Sequence, residues 1–387
     1  MNKDNYDLIV IGGGILGTFH ALHALKLGKK VLQLEKDNYP VGSTVRNFGQ
    51  VIPSGMTGKW FEYGIRSLQI YQEIQGEFDI SVRKNGSVYI GSDEDEVMLL
   101  HELKAHYDRL GYNQTMMNQK QVLEKYTSVR SSYAKEALFF GDEISVEPER
   151  MIYRLQEYMQ QKFEYYLLLY NAPAIDCEPN GDGVRVKISN GNVFYAAKAI
   201  ICNGYEFKLL FPDVFKESGQ VISKLQMMRT TSLNPKGLAG NILTGLTIRR
   251  YESFEEYCPS FKSVKTPDHY LELREMGIHM LFKTAVDGSI IIGDSHEYAD
   301  VNSFDNLGFN INSHINELML AEAERIVDLE VRKIASSWAG YYPQHPDKHI
   351  LEFDFDDCIH IRTCIGGKGM TAGAGYSEDS LHKIFNV

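Results

Sequence analysis

An apolar strand at residues 6–11 runs directly into Gly12-Gly13-Gly14-Ile15-Leu16-Gly17, and this junction limits the possible folds more than any other feature of the chain. Residues 19–27 then read as a helix, with Ala21 and Ala24 small enough to lie on a sheet. Gly28 ends it, and residues 30–34 form a second strand that closes on Glu35. Strand, G-x-G-x-x-G turn, helix and terminal acid in this order and spacing form a βαβ unit suited to a dinucleotide. Gly12 allows the tight turn out of the strand, Gly14 lets the backbone approach a pyrophosphate, and Gly17 lets helix and strand pack closely. The phosphates would meet free N–H groups at the positive end of the helix dipole. Glu35 can accept hydrogen bonds from a ribose diol and would repel a 2′-phosphate, which favours FAD or NAD over NADP. A glycine-rich surface turn before an ordinary amphipathic helix would account for the glycines but leave the match at Glu35 unexplained.

The remaining composition narrows the function. The 387 residues leave room for two or three domains, and 40 Lys and Arg against 51 Asp and Glu give a net charge of -11, the wrong sign for a nucleic-acid footprint. No apolar run approaches the roughly 20 residues that span a bilayer. Five widely spaced cysteines without C-x-x-C support neither a disulfide scaffold nor a zinc site, and no other metal-ligand spacing or Ser/His/Asp arrangement stands out, so no metal is expected. The apolar run at Leu8–Ile11 begins too early for a leader peptide, which makes the cytoplasm the expected compartment.

Helical spacing recurs over residues 60–77, 96–110, 119–126, 148–170 and 311–327. Residues 82–90 read as a strand pair around Asn85-Gly86. Residues 183–188 and 193–196 form a hairpin around Asn190-Gly191, followed by a strand at 199–202. Antiparallel strands are expected at 220–232, 269–275, 278–284 and 289–292, and a strand at 359–363 leads through Gly366-Gly367-Lys368-Gly369 into a helix from about Met370. The expected class is α/β. A discontinuous Rossmann-like nucleotide domain (1–80, 145–215 and 330–387) receives an inserted antiparallel-sheet substrate domain (81–144 and 216–329).

With this pattern in view, the sequence resembles the superfamily of D-amino acid oxidase, glycine oxidase and sarcosine oxidase. The likeness is carried by the Gly12-x-Gly14-x-x-Gly17 turn with Glu35, the loop Ser43-Thr44-Val45-Arg46-Asn47-Phe48-Gly49, Cys202-Asn203-Gly204, the segment from Ser336 to Tyr342, and Gly366-Gly367-Lys368-Gly369-Met370-Thr371. More narrowly, Arg46-Asn47-Phe48-Gly49, Gly293-Asp294-Ser295-His296 and Trp338-x-Gly340 look like a bacterial subgroup associated with aminophosphonate breakdown. The resemblance implies an FAD enzyme that oxidises a small amine to an imine by hydride transfer, with hydrolysis following and dioxygen as acceptor giving hydrogen peroxide. A dehydrogenase of the same fold serving a quinone or carrier protein, and a non-catalytic nucleotide-binding protein, are the alternatives. Two departures matter. Tyr342 stands before Pro343 where relatives that bind an amino-acid carboxylate often have arginine, and Ile290-Ile291-Ile292 lacks the lysine that helps oxygen react in sarcosine oxidases. No attachment cysteine is evident, so the FAD is expected to be non-covalent.

Such chemistry needs the amine held over the flavin, water excluded, and negative charge stabilised on the reduced ring. Lys368, between Gly367 and Gly369 at a helix N-terminus, is the candidate catalytic cation. The expected cofactor contacts are Gly12, Gly14, Gly17, Glu35, Ser43, Thr44, Asn47, Gly49, Gly204, Gly366, Gly367, Gly369, Met370 and Thr371. Arg46, His279 and Tyr342 are the expected substrate contacts, with Arg46 as the bidentate partner of a phosphonate. Arg229, Lys283 and His296 are further polar residues at strand ends.

Overall fold

The computed structural model describes residues 5–235 and 237–387; residues 1–4, the start of the stretch from which no leader is expected, lie outside the described residues. Strand β1 (Asn5–Ile11), helix α1 (Ile15–Lys26) and strand β2 (Val31–Leu34) realise the βαβ unit. The helix begins earlier than expected because the poor helix formers Gly14 and Gly17 conceal its first turn from a propensity reading. Leu8, Ile9 and Val10 are fully buried, as a central parallel strand with both faces covered requires.

Around β1 an eight-stranded sheet is assembled from distant segments. Val193–Ile201 flanks β1 on one side and β2 on the other, both parallel, with Tyr166–Leu169 outside β2 and Ile359–Thr363 outside Val193–Ile201. The two strands expected at 193–196 and 199–202 are one. Its first half makes the hairpin with Gly183–Ile188 and its second half joins the parallel sheet. The C-terminal helix Gly369–Phe385 closes one face by packing on α1 and on Gly58–Glu77. His20 Nε2 lies 3.1 Å from Ser380 Oγ, and a Cβ on Gly375 would stand 2.4 Å from the Tyr63 carbonyl oxygen.

A nine-stranded sheet forms the other half of the molecule. Its core path runs from Glu297–Asp300 through Val221–Thr230, Ile290–Gly293, Leu281–Thr284 and Asn241–Leu243 to Ser87–Gly91, Glu136–Phe140 and Thr115–Asn118. All its pairings are antiparallel except that of Asn241–Leu243 with Ser87–Gly91.

Four expectations need correction. The helix from Pro148 stops at Lys162, and the following apolar run is a strand whose buried Tyr166 and Leu168 alternate with exposed Leu167. Residues 269–275 are a short helical stretch; buried Tyr270 and Leu273 follow the three-residue helical spacing. Gly86 does turn the chain at φ +77, yet Ser87–Gly91 pairs with Glu136–Phe140 and Asn241–Leu243, while Arg83 bridges Ser145. Finally, Ile334–Gln344 belongs to the larger sheet, paired along its length with Val221–Thr230, and not to the nucleotide sheet that a boundary at residue 330 implies.

Between the sheets Glu143 is completely buried. Its Oε1 accepts the Ser54 N–H at 2.8 Å and the Tyr112 hydroxyl at 3.1 Å, whereas Oε2 has no partner. Burial outweighs these hydrogen bonds and pushes the carboxyl from 4.5 up to about 7. A carboxyl raised in the folded state supports folding fully below its unfolded value, and that support is lost as pH climbs through the folded value. Stability should therefore fall between about pH 4.5 and about 7. Glu143→Gln should remove up to about 3 kcal/mol of that pH dependence. Denaturant titrations at the two ends of the window check this; equal slopes in both proteins would contradict it.

Candidate active site

The βαβ turn holds the first part of the site by backbone contact. Gly12 has φ +120, and a Cβ there would lie 2.2 Å from the Cys202 carbonyl oxygen; one on Gly17 would lie 2.1 Å from Gly12 O. Gly17 thus packs helix on strand and does not line the cavity. Gly14 is different, since the only atom its Cβ would meet is Thr44 Oγ1 at 3.1 Å. The first-turn N–H groups have no intrahelical acceptor. Thr44 Oγ1 takes that of Ile15 at 2.9 Å, and Gly14 and Leu16 lie on the cavity wall. Glu35 closes this end, with Oε2 accepting the Gly13 N–H at 2.8 Å and Oε1 that of Asp37 at 3.0 Å. Its pKa is raised because burial outweighs those two hydrogen bonds.

From this turn a cavity of about 520 Å³ extends between the two sheets. Ser43, Asn47, Gly49, Gly204, Gly366, Gly367, Lys368, Gly369, Met370 and Thr371 line it, as do Thr44, His279 and Tyr342. Several of the expected donors are already engaged. Ser43 Oγ donates to the Tyr341 carbonyl at 2.6 Å. Asn47 Nδ2 donates to the carbonyls of Ser43 and Thr44, and its Oδ1 accepts from Gly49 N–H at 2.7 Å. These side chains brace the loop and leave its backbone to face the cavity. Lys368 Nζ is 2.6 Å from Glu252 Oε2, so its charge is shared with a carboxylate that sequence spacing gave no reason to place there.

Arg46 is not at the cavity. Its Nε donates to the Val41 carbonyl at 2.8 Å and its Nη1 to that of Ala339 at 3.0 Å, which makes it a strut between the loop and the strand Ile334–Gln344. The expectation that it meets substrate is corrected by that engagement. Arg229 and Lys283 also lie off the wall. Arg229 is 3.7 Å from Asp287, and the buried Lys283 is 3.0 Å from Glu147 Oε1.

The wall opposite the glycines consists of residues that sequence reading left largely unassigned. His279, Asp294 and His296 bring one ligand atom each to within 4.8 Å of one another, and Arg250, Tyr251, Glu252 and buried Tyr342 line the same space. His279 Nδ1 stands 2.9 Å from Asp294 Oδ1, and His296 Nδ1 is 3.2 Å from the Gly277 carbonyl. Because a carbonyl only accepts, His296 carries its proton on Nδ1 and leaves Nε2 as an acceptor. Burial drives His296 down to about 3 and lowers His279 against the pull of Asp294, so both rings are neutral near pH 7. Burial alone would raise Asp294, but His279 and His296 together hold it below the ordinary carboxylate value. Of this wall the sequence analysis names His279, Tyr342 and His296, while Arg250, Tyr251 and Glu252 carry no signal in the sequence.

The model of the family described as FAD dependent oxidoreductase matches residues 7–379. The chain belongs to that family. Among curated relatives, the flavoprotein is 28% identical over 218 residues to monomeric sarcosine oxidase of Streptomyces avermitilis, covering 54% of each chain. It is 22% identical to glycine oxidase of Bacillus licheniformis, covering 89% of this chain and 83% of that one. The chain therefore spans about half the length of the first of these relatives. The crystal structure of glycine oxidase from Geobacillus kaustophilus shares its fold, with a TM-score of 0.77 at 13% identity over 99% of this chain and 95% of that one.

FAD is the cofactor of the family, and the residues of the flavoprotein fit it. A backbone cradle that a Cβ would fill at Gly12, an open approach at Gly14 and a buried acid at the end of β2 are what a dinucleotide needs. All five cysteines are unpaired and buried, and Cys202 and Cys364 lie on the cavity wall. Gly14→Val should fold yet purify without flavin, whereas Gly17→Val should fail to fold. Absorbance of the purified variants near the flavin bands, with circular dichroism for folding, checks both; full flavin occupancy in Gly14→Val would overturn the assignment.

Proposed function

We propose that the flavoprotein oxidises a small amine to an imine, with an aminophosphonate as the substrate class and dioxygen as the acceptor. The observation that carries this reading is the single cavity joining the βαβ glycines to the wall of His279, Asp294 and His296. In this reading Gly12 and Gly14 would hold the pyrophosphate, Glu35 the ribose, and Gly49, Gly204 and the stretch from Gly366 to Thr371 the redox ring. FAD, when bound, supplies the acceptor for a hydride and passes the electron pair on to dioxygen, giving hydrogen peroxide.

The chain's residues do the rest. The imidazole Nε2 of His296 accepts an N–H hydrogen bond from the amine, and neutral His279 stands on the same wall beside Asp294. An amine with its lone pair free can then release hydride from the adjacent carbon as C=N forms, and water hydrolyses the imine to a carbonyl and a free amine. Tyr251, Leu225, Leu281 and Tyr342 give the cavity an apolar lining that limits water around the reacting carbon. Lys368 faces the same space, with Glu252 fixing its position. Cytoplasmic placement belongs to this reading as well, resting on the five unpaired thiols; no helix among the described residues is long and apolar enough to cross a membrane.

Two measurements bear on the proposal. Mixed anaerobically with a panel of amines, the yellow protein should bleach faster with aminophosphonates than with glycine, sarcosine or D-alanine; in air it should release one peroxide per amine consumed. Faster reduction by the amino acids would remove the phosphonate, and bleaching without peroxide would favour a dehydrogenase. Separately, Lys368→Met should slow reduction by an amount equivalent to about 1.5 to 3 kcal/mol, the usual worth of a hydrogen bond to a charged group. Adding Glu252→Gln should recover part of the loss by removing the unpaired carboxylate. An unchanged rate and flavin potential in both variants would make the pair a scaffold.

A further inference from the structure

The cations that line the cavity differ in what already neutralises them. Lys36 Nζ is 2.5 Å from Asp37, Lys368 is 2.6 Å from Glu252, and His279 and His296 are neutral. Among the described residues Arg250 makes no ion pair, although it is near enough to Asp294 to help hold that carboxyl below its usual value. Its contacts are the Gly277 carbonyl at 3.3 Å from Nη1 and the Tyr298 hydroxyl at 3.2 Å from Nη2. Five N–H donors with two neutral acceptors leave most of the guanidinium fork unused, and the fork matches an oxyanion. Tyr298, half exposed and off the cavity wall, accepts from Arg250 and so helps hold the fork in place.

Arg250 and His296 are held by one atom, since both donate to Gly277 O. The fork is thereby fixed beside the imidazole whose Nε2 can only accept. A donor group and an acceptor wall side by side suit a molecule carrying an oxyanion and an amine. We propose that Arg250, positioned by Tyr298 and Gly277 O, is the oxyanion receptor of this cavity, taking the phosphonate or carboxylate of an amine substrate. Naming the ligand a substrate rests on the amine-oxidising reading; the receptor itself does not. It supplies at another position the cation that Tyr342 leaves missing and that Arg46, bound to two backbone carbonyls, does not provide.

The test uses the FAD-loaded protein and two simple anions that are not oxidised. Methylphosphonate and acetate are titrated separately into wild type, Arg250→Met, Arg250→Lys and Tyr298→Phe, and binding is read by calorimetry and by perturbation of the flavin spectrum. At least one anion should bind wild type saturably, and the preferred anion identifies the head group. Its dissociation constant should rise about tenfold to a hundredfold in Arg250→Met, with partial recovery in Arg250→Lys and a smaller loss in Tyr298→Phe. Flavin content and circular dichroism confirm that the variants are folded. Absence of saturable binding to wild type, or equal binding to Arg250→Met, overturns the receptor. Reduction by amines is scored in the same samples. Arg250-dependent anion binding without reduction by any amine would defeat the oxidase reading alone, and reduction indifferent to Arg250 would defeat the receptor alone.

Discussion

The closest backbone approach in the molecule is the one on which the remainder depends. A Cβ at Gly17 would stand 2.1 Å from Gly12 O, and a Cβ at Gly12 would stand 2.2 Å from Cys202 O. Three segments, β1, α1 and the end of Val193–Ile201, therefore meet with no side chain between them. That contact puts the start of α1 at the sheet's edge, where its unsatisfied N–H groups face the cavity. It also brings Cys202-Asn203-Gly204, nearly two hundred residues away in sequence, to the other side of the same space.

The larger sheet is attached to this arrangement by contacts that neutralise or use up polar groups. Ser43 and Arg46 each donate to carbonyls of the strand Ile334–Gln344, which in turn pairs with Val221–Thr230. A half-buried guanidinium with such fixed acceptors acts as a positioning element. The same logic distinguishes Lys368, which is paired with Glu252, from Arg250, which makes no ion pair among the described residues.

What could be read from the sequence was local. The βαβ unit, the hairpin at Asn190-Gly191 and the entry to the last helix each declare themselves within about 30 residues, because a turn residue and its flanking periodicity lie together. The wall of His279, Asp294 and His296 became visible only after antiparallel pairing set Leu281 opposite Gly293, which puts His279 near Asp294. Residues 163–170 were misread because a short apolar run has no period long enough to separate helix from strand. Arg46 was misread because a sequence reports a charge without saying which atoms consume its hydrogen bonds. Gly86 shows the reverse case, a real turn whose strands pair elsewhere.

The division of labour between the two sheets has an evolutionary consequence. At Gly12 and Gly17 the close contacts are with backbone, so hardly any substitution at those two positions is silent. The opposite wall is made of side chains borne on strand ends and on the segment around Arg250, where changes alter shape and charge without touching the dinucleotide half. Substitutions near positions 250, 279 and 296 can therefore change what the cavity admits while the cradle at residues 12–17 stays as it is.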